Sequence, residues 1–142
     1  MKKILIINAN YYKKISDRLV FAAKKNFKKK KFNLSIINVP GIYEAPFILA
    51  KNMKKFDAFL VLGCVIKGET PHFDYISRSV FNGITQLSIN YKKPITNGII
   101  TCLNMTQALN RSANSKSSKK PNKGDEASKA LVSLLYNAPK RL

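Results

Sequence analysis

Four short apolar runs alternate along the chain with stretches whose apolar residues recur every three or four positions. The runs are Lys3 to Ile7, Phe32 to Val39, Ala58 to Leu62 and Ile95 to Thr101. Lys3 to Ile7 is a continuous apolar run, as expected of a strand buried on both faces of a parallel sheet, and the other three read as its partner strands. The stretches between them read as helices. Ile15, Leu19, Ala22 and Ala23 mark the first, which starts near Ser16 or Asp17 and ends in a run of lysines. Pro46 can open a second, with Phe47, Ile48, Ala50 and Met53 as its apolar members. Phe73, Ile76, Val80, Ile84 and Leu87 give the third a clean 3–4 spacing. A short helix over Met105 to Arg111 follows the last strand, and Ala127, Ala130, Leu131, Leu134 and Leu135 line the final one. Pro40-Gly41 is a turn signal, and Gly98 inside a strand marks close packing or close approach of a ligand. Ser112 to Lys123 is rich in Ser, Lys and Asn and reads as a flexible connector.

Strands alternating with helices, without hairpin signals, predict one α/β domain over residues 1–142 with helices on both faces of a four-stranded parallel sheet. In such sheets ligands bind beyond the carboxyl ends of the strands. That rule gathers four connections on one rim: Asn8–Tyr12, Pro40–Glu44, Gly63–His72 and Thr101–Asn104. The most informative is Leu62 to Tyr75, reading L-G-C-V-I-K-G-E-T-P-H-F-D-Y. A strand that empties through a Gly/Thr loop into a helix aims backbone N–H groups at one spot, which suits an anion such as phosphate. His72, the single histidine, adjoins it and belongs to the residue type that titrates nearest neutrality. The plainer alternative makes Gly68 a turn, Thr70 an N-cap, Pro71 a first-turn residue and His72 structural. Cys64 reads as a small core residue rather than a nucleophile.

Composition narrows the classes. The hydrophobic fraction of 45% excludes wholesale disorder. The formal charge of +19 arises from 26 Lys and Arg against 7 Asp and Glu. Such a balance is an electrostatic footprint for nucleic acid. Only Arg18, Arg78, Arg111 and Arg141 are arginines, however, whereas base readers favour Arg for bidentate contacts. Most lysines therefore read as a solvated face that attracts anionic substrates, with no specific nucleic acid partner. The scarce acids are placed selectively: Glu44, Glu69, Asp74, Asp125 and Glu126 lie in Gly-containing stretches. Cys64 and Cys102 stand far apart, without the spacing of a zinc site or a disulfide framework. Met1-Lys2-Lys3 and the apolar run after it are too short for a signal peptide, and no segment is long enough to span a bilayer, so a cytoplasmic location is expected.

On the rim, Tyr11, Tyr12 and Tyr43 offer aromatic faces to a flat ring, or are ordinary half-buried tyrosines. Glu44 can accept hydrogen bonds from hydroxyls or amines, or sit in a first helical turn. Arg111 ends a short helix, where a cation is favourable in any case. Lys123 stands at the start of the last helix, where a cation is mildly unfavourable, and that placement hints at a function. Together these residues point to a phosphate-handling α/β enzyme with an aromatic-flanked ring pocket, without specifying the reaction.

Longer motifs resemble the lumazine synthase family. Val39-Pro40-Gly41-Ile42-Tyr43-Glu44-Ala45-Pro46 is similar to its V-P-G-A-F-E-I-P segment, and Gly63 to Tyr75 to its G-x-V-I-R-G-x-T-x-H-[FY]-[DE]-Y loop. Pro94 to Arg111 resembles its P-[IV]-x-x-G-[IV]-[LV]-T-x-x-N-x-x-Q-A-x-x-R stretch, and Asn122-Lys123-Gly124 its N-K-G motif. The resemblance implies a flavodoxin-like three-layer α/β/α sandwich, assembled as pentamers or hollow sixty-subunit shells with active sites between neighbours. It implies condensation of 5-amino-6-(D-ribitylamino)uracil with 3,4-dihydroxy-2-butanone 4-phosphate, the penultimate step of riboflavin biosynthesis, with no metal or redox cofactor. By position, Tyr11 would stack on the pyrimidine ring, and Ile42, Tyr43 and Glu44 would hold the ribityl chain and ring edge with the backbone around Val65 and Ile66. Gly68, Glu69 and Thr70 would bind the phosphate together with a neighbour's Arg111, His72 would move protons, and the neighbour's Lys123 would support the site. The chain departs from the pattern at several positions: Tyr12 for Asn, Ile42 for Ala, Lys67 for Arg, and Asn97 where Phe often forms the second wall of the ring pocket. The stretch between Arg111 and Lys123 is also longer than in many members.

Overall fold

The apolar runs pair side by side because their backbone groups, once buried, must find hydrogen bonds within the protein. In the computed structural model, which describes residues 1–114, 120–137 and 139–142, they form strands β1 (Lys2–Ala9), β2 (Phe32–Val39), β3 (Ala58–Ile66) and β4 (Ile95–Cys102). All pairings are parallel, in the order β2-β1-β3-β4. Ile6 lies opposite Ile36 on one side and Leu60 on the other, and Leu60 lies opposite Thr96. The helices are α1 (Lys13–Lys28), α2 (Ala45–Asn52), α3 (His72–Tyr91), α4 (Met105–Ser112) and α5 (Lys123–Tyr136).

Alternate strand residues feed two cores. Ile4, Ile6, Leu60, Leu62 and Ile100 pack with Ile15, Leu19 and Ala23 of α1 and with Ala127 and Leu131 of α5. Leu5, Ile7, Phe59, Val61 and Ile99 pack with Leu49 of α2, the adjoining Met53, and Val80 and Ile84 of α3. The central strands β1 and β3 are covered on both faces, which is why their sequence reads as continuous apolar runs, whereas the edge strand β2 carries Asn33, Ser35 and Asn38 and leaves Ile36 40% exposed. The architecture is a flavodoxin-like α/β/α sandwich.

Element types match the sequence reading, while several boundaries and faces differ. Strand β3 continues through Gly63 to Ile66. A Cβ at Gly63 would lie 2.8 Å from Ile42 Cγ2 and 3.0 Å from Ala9 Cβ, so this glycine serves close packing inside a strand, not a loop. Likewise Asn8 and Ala9 end β1 and Thr101 and Cys102 end β4, leaving shorter connections than expected. Gly98 is a packing glycine: its Cβ would meet Leu62 Cδ2 at 2.5 Å and Ala127 Cβ at 3.3 Å. Helix α2 buries Ala45 and Leu49, with Met53 following, and exposes Phe47 and Ala50. The inward stripe thus runs at i, i+4, i+8, a phase that an eight-residue helix of mostly apolar residues leaves open in the sequence. In α5 the buried face is Gly124, Ala127, Ser128 and Leu131, whereas Ala130 and Leu134 are exposed. Of the Ser112–Lys123 connector, residues 115–119 lie outside the described residues.

Its last part is held by Asn122, the N-cap of α5. The Asn122 Oδ1 accepts from the N–H groups of Gly124 at 2.8 Å and Asp125 at 3.1 Å, while Nδ2 donates to the Ser112 carbonyl at 2.8 Å. One buried side chain therefore caps one helix and ties it to the end of another. Asn122→Ala removes a cap and orphans a buried carbonyl, so a loss of about 2–3 kcal/mol in urea unfolding is expected.

Candidate active site

The carboxyl ends of the strands deliver their residues to one cleft of about 380 Å³. Tyr11 and Tyr12 reach it from the turn after β1, and Ile42, Tyr43 and Glu44 from a short 3-10 turn after β2. Cys64, Val65 and Ile66 form its floor as β3 ends, and His72 enters from the first turn of α3. Eight of the predicted residues thus divide plainly: Tyr11, Ile42, Tyr43, Glu44, Val65, Ile66 and His72 share the cleft, and Asn97 does not line it. Asn97 faces Val61 across the sheet, four residues before the Thr101–Val65 pair at the rim, and its Oδ1 accepts from the Ile99 N–H at 2.9 Å.

The cleft suits a flat polar ligand. Tyr11 is 75% exposed and Tyr43 64%, large aromatic surfaces held open to solvent at its mouth. Tyr11 stands edge-on to Tyr12, with centroids 4.9 Å apart and planes at 82°, which fixes the orientation of its ring. Partial burial raises the Tyr12 phenol above its usual pKa, and the Cys64, Tyr11 and Cys102 groups add to the effect, so it stays a neutral hydrogen-bonding group. Burial pushes the Cys64 thiol up to about 12, with Cys102 reinforcing it, so the thiolate needed for nucleophilic attack is scarce near neutrality. Cys64 is 8% exposed and belongs to the core, as its sequence context suggested.

Lys67 to Pro71 form the connection between β3 and α3, and Gly68, Glu69 and Thr70 are exposed. The Lys67 N–H is used by the Cys102 carbonyl at 2.9 Å. Among the described residues no hydrogen bond engages the N–H groups of Gly68, Glu69 or Thr70. A Cβ at Gly68 would meet nothing within 4 Å, so the space beside it is open. Pro71, not Thr70, occupies the N-cap of α3, without a side-chain cap hydrogen bond. Asp74 in the first turn contributes the acidic group that the helix dipole favours there.

Arg111 and Lys123 are brought together, but not into this cleft. Arg111 lines a separate hollow of about 260 Å³ with Thr101, Cys102, Gln107, Asn110 and Lys120. Its Nη1 donates to the Pro121 carbonyl at 2.8 Å and its Nη2 to Glu126 Oε2 at 3.3 Å. Lys123 Nζ donates to Glu126 Oε1 at 3.4 Å. Glu126 therefore links the two cations. Burial raises its pKa, but Lys123 and Arg111 outweigh that effect and hold its carboxyl below the usual range. Reasoning from the sequence noted Glu126 only as one of a few scarce acids and assigned it no role. Its i+3 spacing from Lys123 on a helix was the available signal.

This is an α/β sandwich whose rim carries exposed tyrosine rings, a histidine and an open N–H loop, with a cation pair elsewhere on the same subunit. Comparison with known proteins narrows the class. The family described as 6,7-dimethyl-8-ribityllumazine synthase matches residues 1–138. A 6,7-dimethyl-8-ribityllumazine synthase of Campylobacter jejuni strain RM1221 is 44% identical over 138 residues, covering 94% of this chain and 87% of the relative. Similar enzymes of Campylobacter hominis and Aliarcobacter butzleri are 42% and 41% identical, covering 94% and 96% of this chain and 86% and 89% of theirs. The chain belongs to the 6,7-dimethyl-8-ribityllumazine synthase family, a family of transferases. No helix among the described residues is long and apolar enough to cross a membrane.

Proposed function

We propose that the protein condenses 5-amino-6-(D-ribitylamino)uracil with 3,4-dihydroxy-2-butanone 4-phosphate to 6,7-dimethyl-8-ribityllumazine, releasing phosphate and water, as the penultimate step of riboflavin biosynthesis. The observation that carries this reading is the meeting of Tyr11, Tyr43, Glu44 and His72 in one cleft beside the Gly68–Thr70 loop, in a chain that matches the family over residues 1–138. Tyr11 stacks on the pyrimidine. Ile42, Tyr43 and Glu44, with the backbone of Val65 and Ile66, hold the ribityl hydroxyls and the ring edge. The free N–H groups of Gly68, Glu69 and Thr70 face the phosphate.

The uracil amine attacks the ketone and forms an imine with loss of water. Phosphate is then eliminated, and the ring closes as the ribitylamino nitrogen attacks the remaining carbonyl and a second water is lost. These steps move protons on and off nitrogen and oxygen, and His72 is the group in the cleft best suited to carry them at neutral pH. Departure of phosphate creates negative charge, which a guanidinium beside the loop stabilises. Holding both substrates in register supplies much of the remaining acceleration.

Arg111 and Lys123 reach the cleft from a neighbouring copy in this reading, so the working unit is a homo-oligomer built on pentamers. That arrangement accounts for a cation pair that does not line the cleft of its own subunit. Glu126 then keeps the guanidinium and the ammonium aimed together until phosphate arrives. Asn97 does not line the cleft of its own subunit, so in this reading it would present a polar second wall only to a neighbour's cleft. The test is direct: purified protein given both substrates is expected to form the lumazine chromophore, with phosphate released in equal amount. Failure to do so while folded, or turnover of lumazine itself to riboflavin instead, overturns the proposal.

A further inference from the structure

The end of the sheet opposite the cleft carries a dense cluster of lysines. All strands are parallel, so their amino ends lie together. Lysines crowd each of them: Lys2 and Lys3 open β1, Lys29 to Lys31 precede β2, Lys54 and Lys55 precede β3, and Lys92 and Lys93 precede β4. The last turns of α1 add Lys24, Lys25 and Lys28. The chain's carboxylates do little to neutralise this end. Asp57 accepts the Lys3 backbone N–H at 2.7 Å, and Asp125 pairs with Lys129 at 2.9 Å. The remaining five are Asp17, paired with Lys13 at 2.7 Å, Glu126, shared by Arg111 and Lys123, and Glu44, Glu69 and Asp74 on the active-site rim. Lys28, Lys30 and Lys31 form no ion pair among the described residues.

The basic face is not flat. Between α1 and β2 lies a groove of about 460 Å³ whose apolar wall is Phe27, Phe32 and Leu34 and whose edge is Lys24, Lys28, Lys30 and Lys31. At its side Tyr136 is 52% exposed, 6.1 Å from the Phe32 ring, with Lys30 Nζ 3.8 Å from its centroid. Lys25 sits similarly over Phe21, at 4.4 Å. A lysine-edged groove with the exposed rings of Tyr136 and Phe21 outside it, each beside a lysine, matches what single-stranded nucleic acid requires: cations to track the phosphates and π-faces on which bases stack. Lysine in place of arginine supplies point charge without bidentate reading of base edges. A bilayer, by contrast, would be met by protruding apolar side chains rather than by recessed ones.

We infer that the amino-terminal edge of the sheet is a sequence-independent binding face for single-stranded RNA, with Lys28, Lys30 and Lys31 on the phosphodiester backbone and Tyr136 as a stacking platform. The binding is electrostatic, so its affinity falls linearly on a log–log plot with salt. Relief of the mutual repulsion of these lysines adds to the drive for association.

The full-length protein is titrated into a fluorescently labelled single-stranded oligouridylate, followed by anisotropy, between about 50 and 200 mM salt. Lys30→Gln/Lys31→Gln is expected to weaken binding about tenfold and to shrink the salt slope by about 1.4, two backbone contacts at ~0.7 each. Lys13→Gln/Lys14→Gln removes the same charge at the opposite end and is expected to change affinity less than about twofold. Tyr136→Ala is expected to weaken RNA binding about tenfold while leaving inorganic polyphosphate binding unchanged. Equal losses in the two lysine pairs, or no measurable binding of the wild type at low salt, overturn the face. Indifference of RNA binding to Tyr136→Ala, or polyphosphate of equal charge binding as tightly as RNA, overturns nucleic acid as its occupant.

Discussion

Gly124→Ala is expected to destabilise the protein by about 3 kcal/mol or more, the largest loss expected from a Gly→Ala change at any of its glycines. A Cβ at Gly124 would be driven into the Leu19 carbonyl oxygen and would lie 3.0 Å from the Leu19 Cα. Those are backbone atoms of α1, which cannot rotate aside, so α1 and α5 would have to separate. Separation opens the core formed by Ile15, Leu19, Ala127 and Leu131. It also stretches the buried contact in which Asn26 Nδ2 donates to Ser128 Oγ at 2.8 Å and to Asp125 Oδ1 at 2.9 Å. Gly68→Ala is the matched control. Its added methyl meets nothing within 4 Å, so a stability change within about 0.5 kcal/mol is expected. Urea unfolding of both variants checks the pair, and similar midpoints would contradict the close helix contact.

His72→Ala and Arg111→Ala are each expected to lower kcat by about a hundredfold, through loss of proton transfer and of leaving-group stabilisation respectively. They differ in how they combine. If each cleft takes His72 from one subunit and Arg111 from its neighbour, co-refolding the two variants rebuilds some intact sites. Random mixing around a closed ring predicts recovery of about a quarter of wild-type activity. Activity that stays at the level of the separate variants would place both residues in one subunit's site. Glu126→Gln tests the linkage of the cations from another side. It leaves Arg111 bonded to the Pro121 carbonyl but weakens its charge partner, so KM for the phosphorylated substrate is expected to change more than kcat.

The cleft and the cation pair were legible in the sequence to different degrees. Tyr11, Tyr43, Glu44 and His72 could be gathered from topology alone, because parallel strands place all their carboxyl ends on one rim whatever their order. Glu126 could not, since its meaning depends on two cations whose side chains reach it only once α4 and α5 are docked. Asn97 was assigned to the ring pocket through the family resemblance. Its position within β4, opposite Val61, sets it away from the rim of its own subunit.

By itself, the sequence determined the number and type of the regular elements, the parallel sheet and the rim on which chemistry gathers. Those properties follow from local hydrophobic periodicity and from the limited ways such elements can connect. Only the tertiary structure decided which side of α2 and α5 faces inward, that Gly63 lies within a strand, and that Gly98, already placed in a strand by the sequence, serves close packing. It also separated the glycines that need their missing Cβ, Gly63, Gly98 and Gly124, from Gly68, which does not. The reason is physical: an apolar residue or a glycine carries no record of what will approach it, and that identity is set by elements distant in the chain meeting at close-packed density.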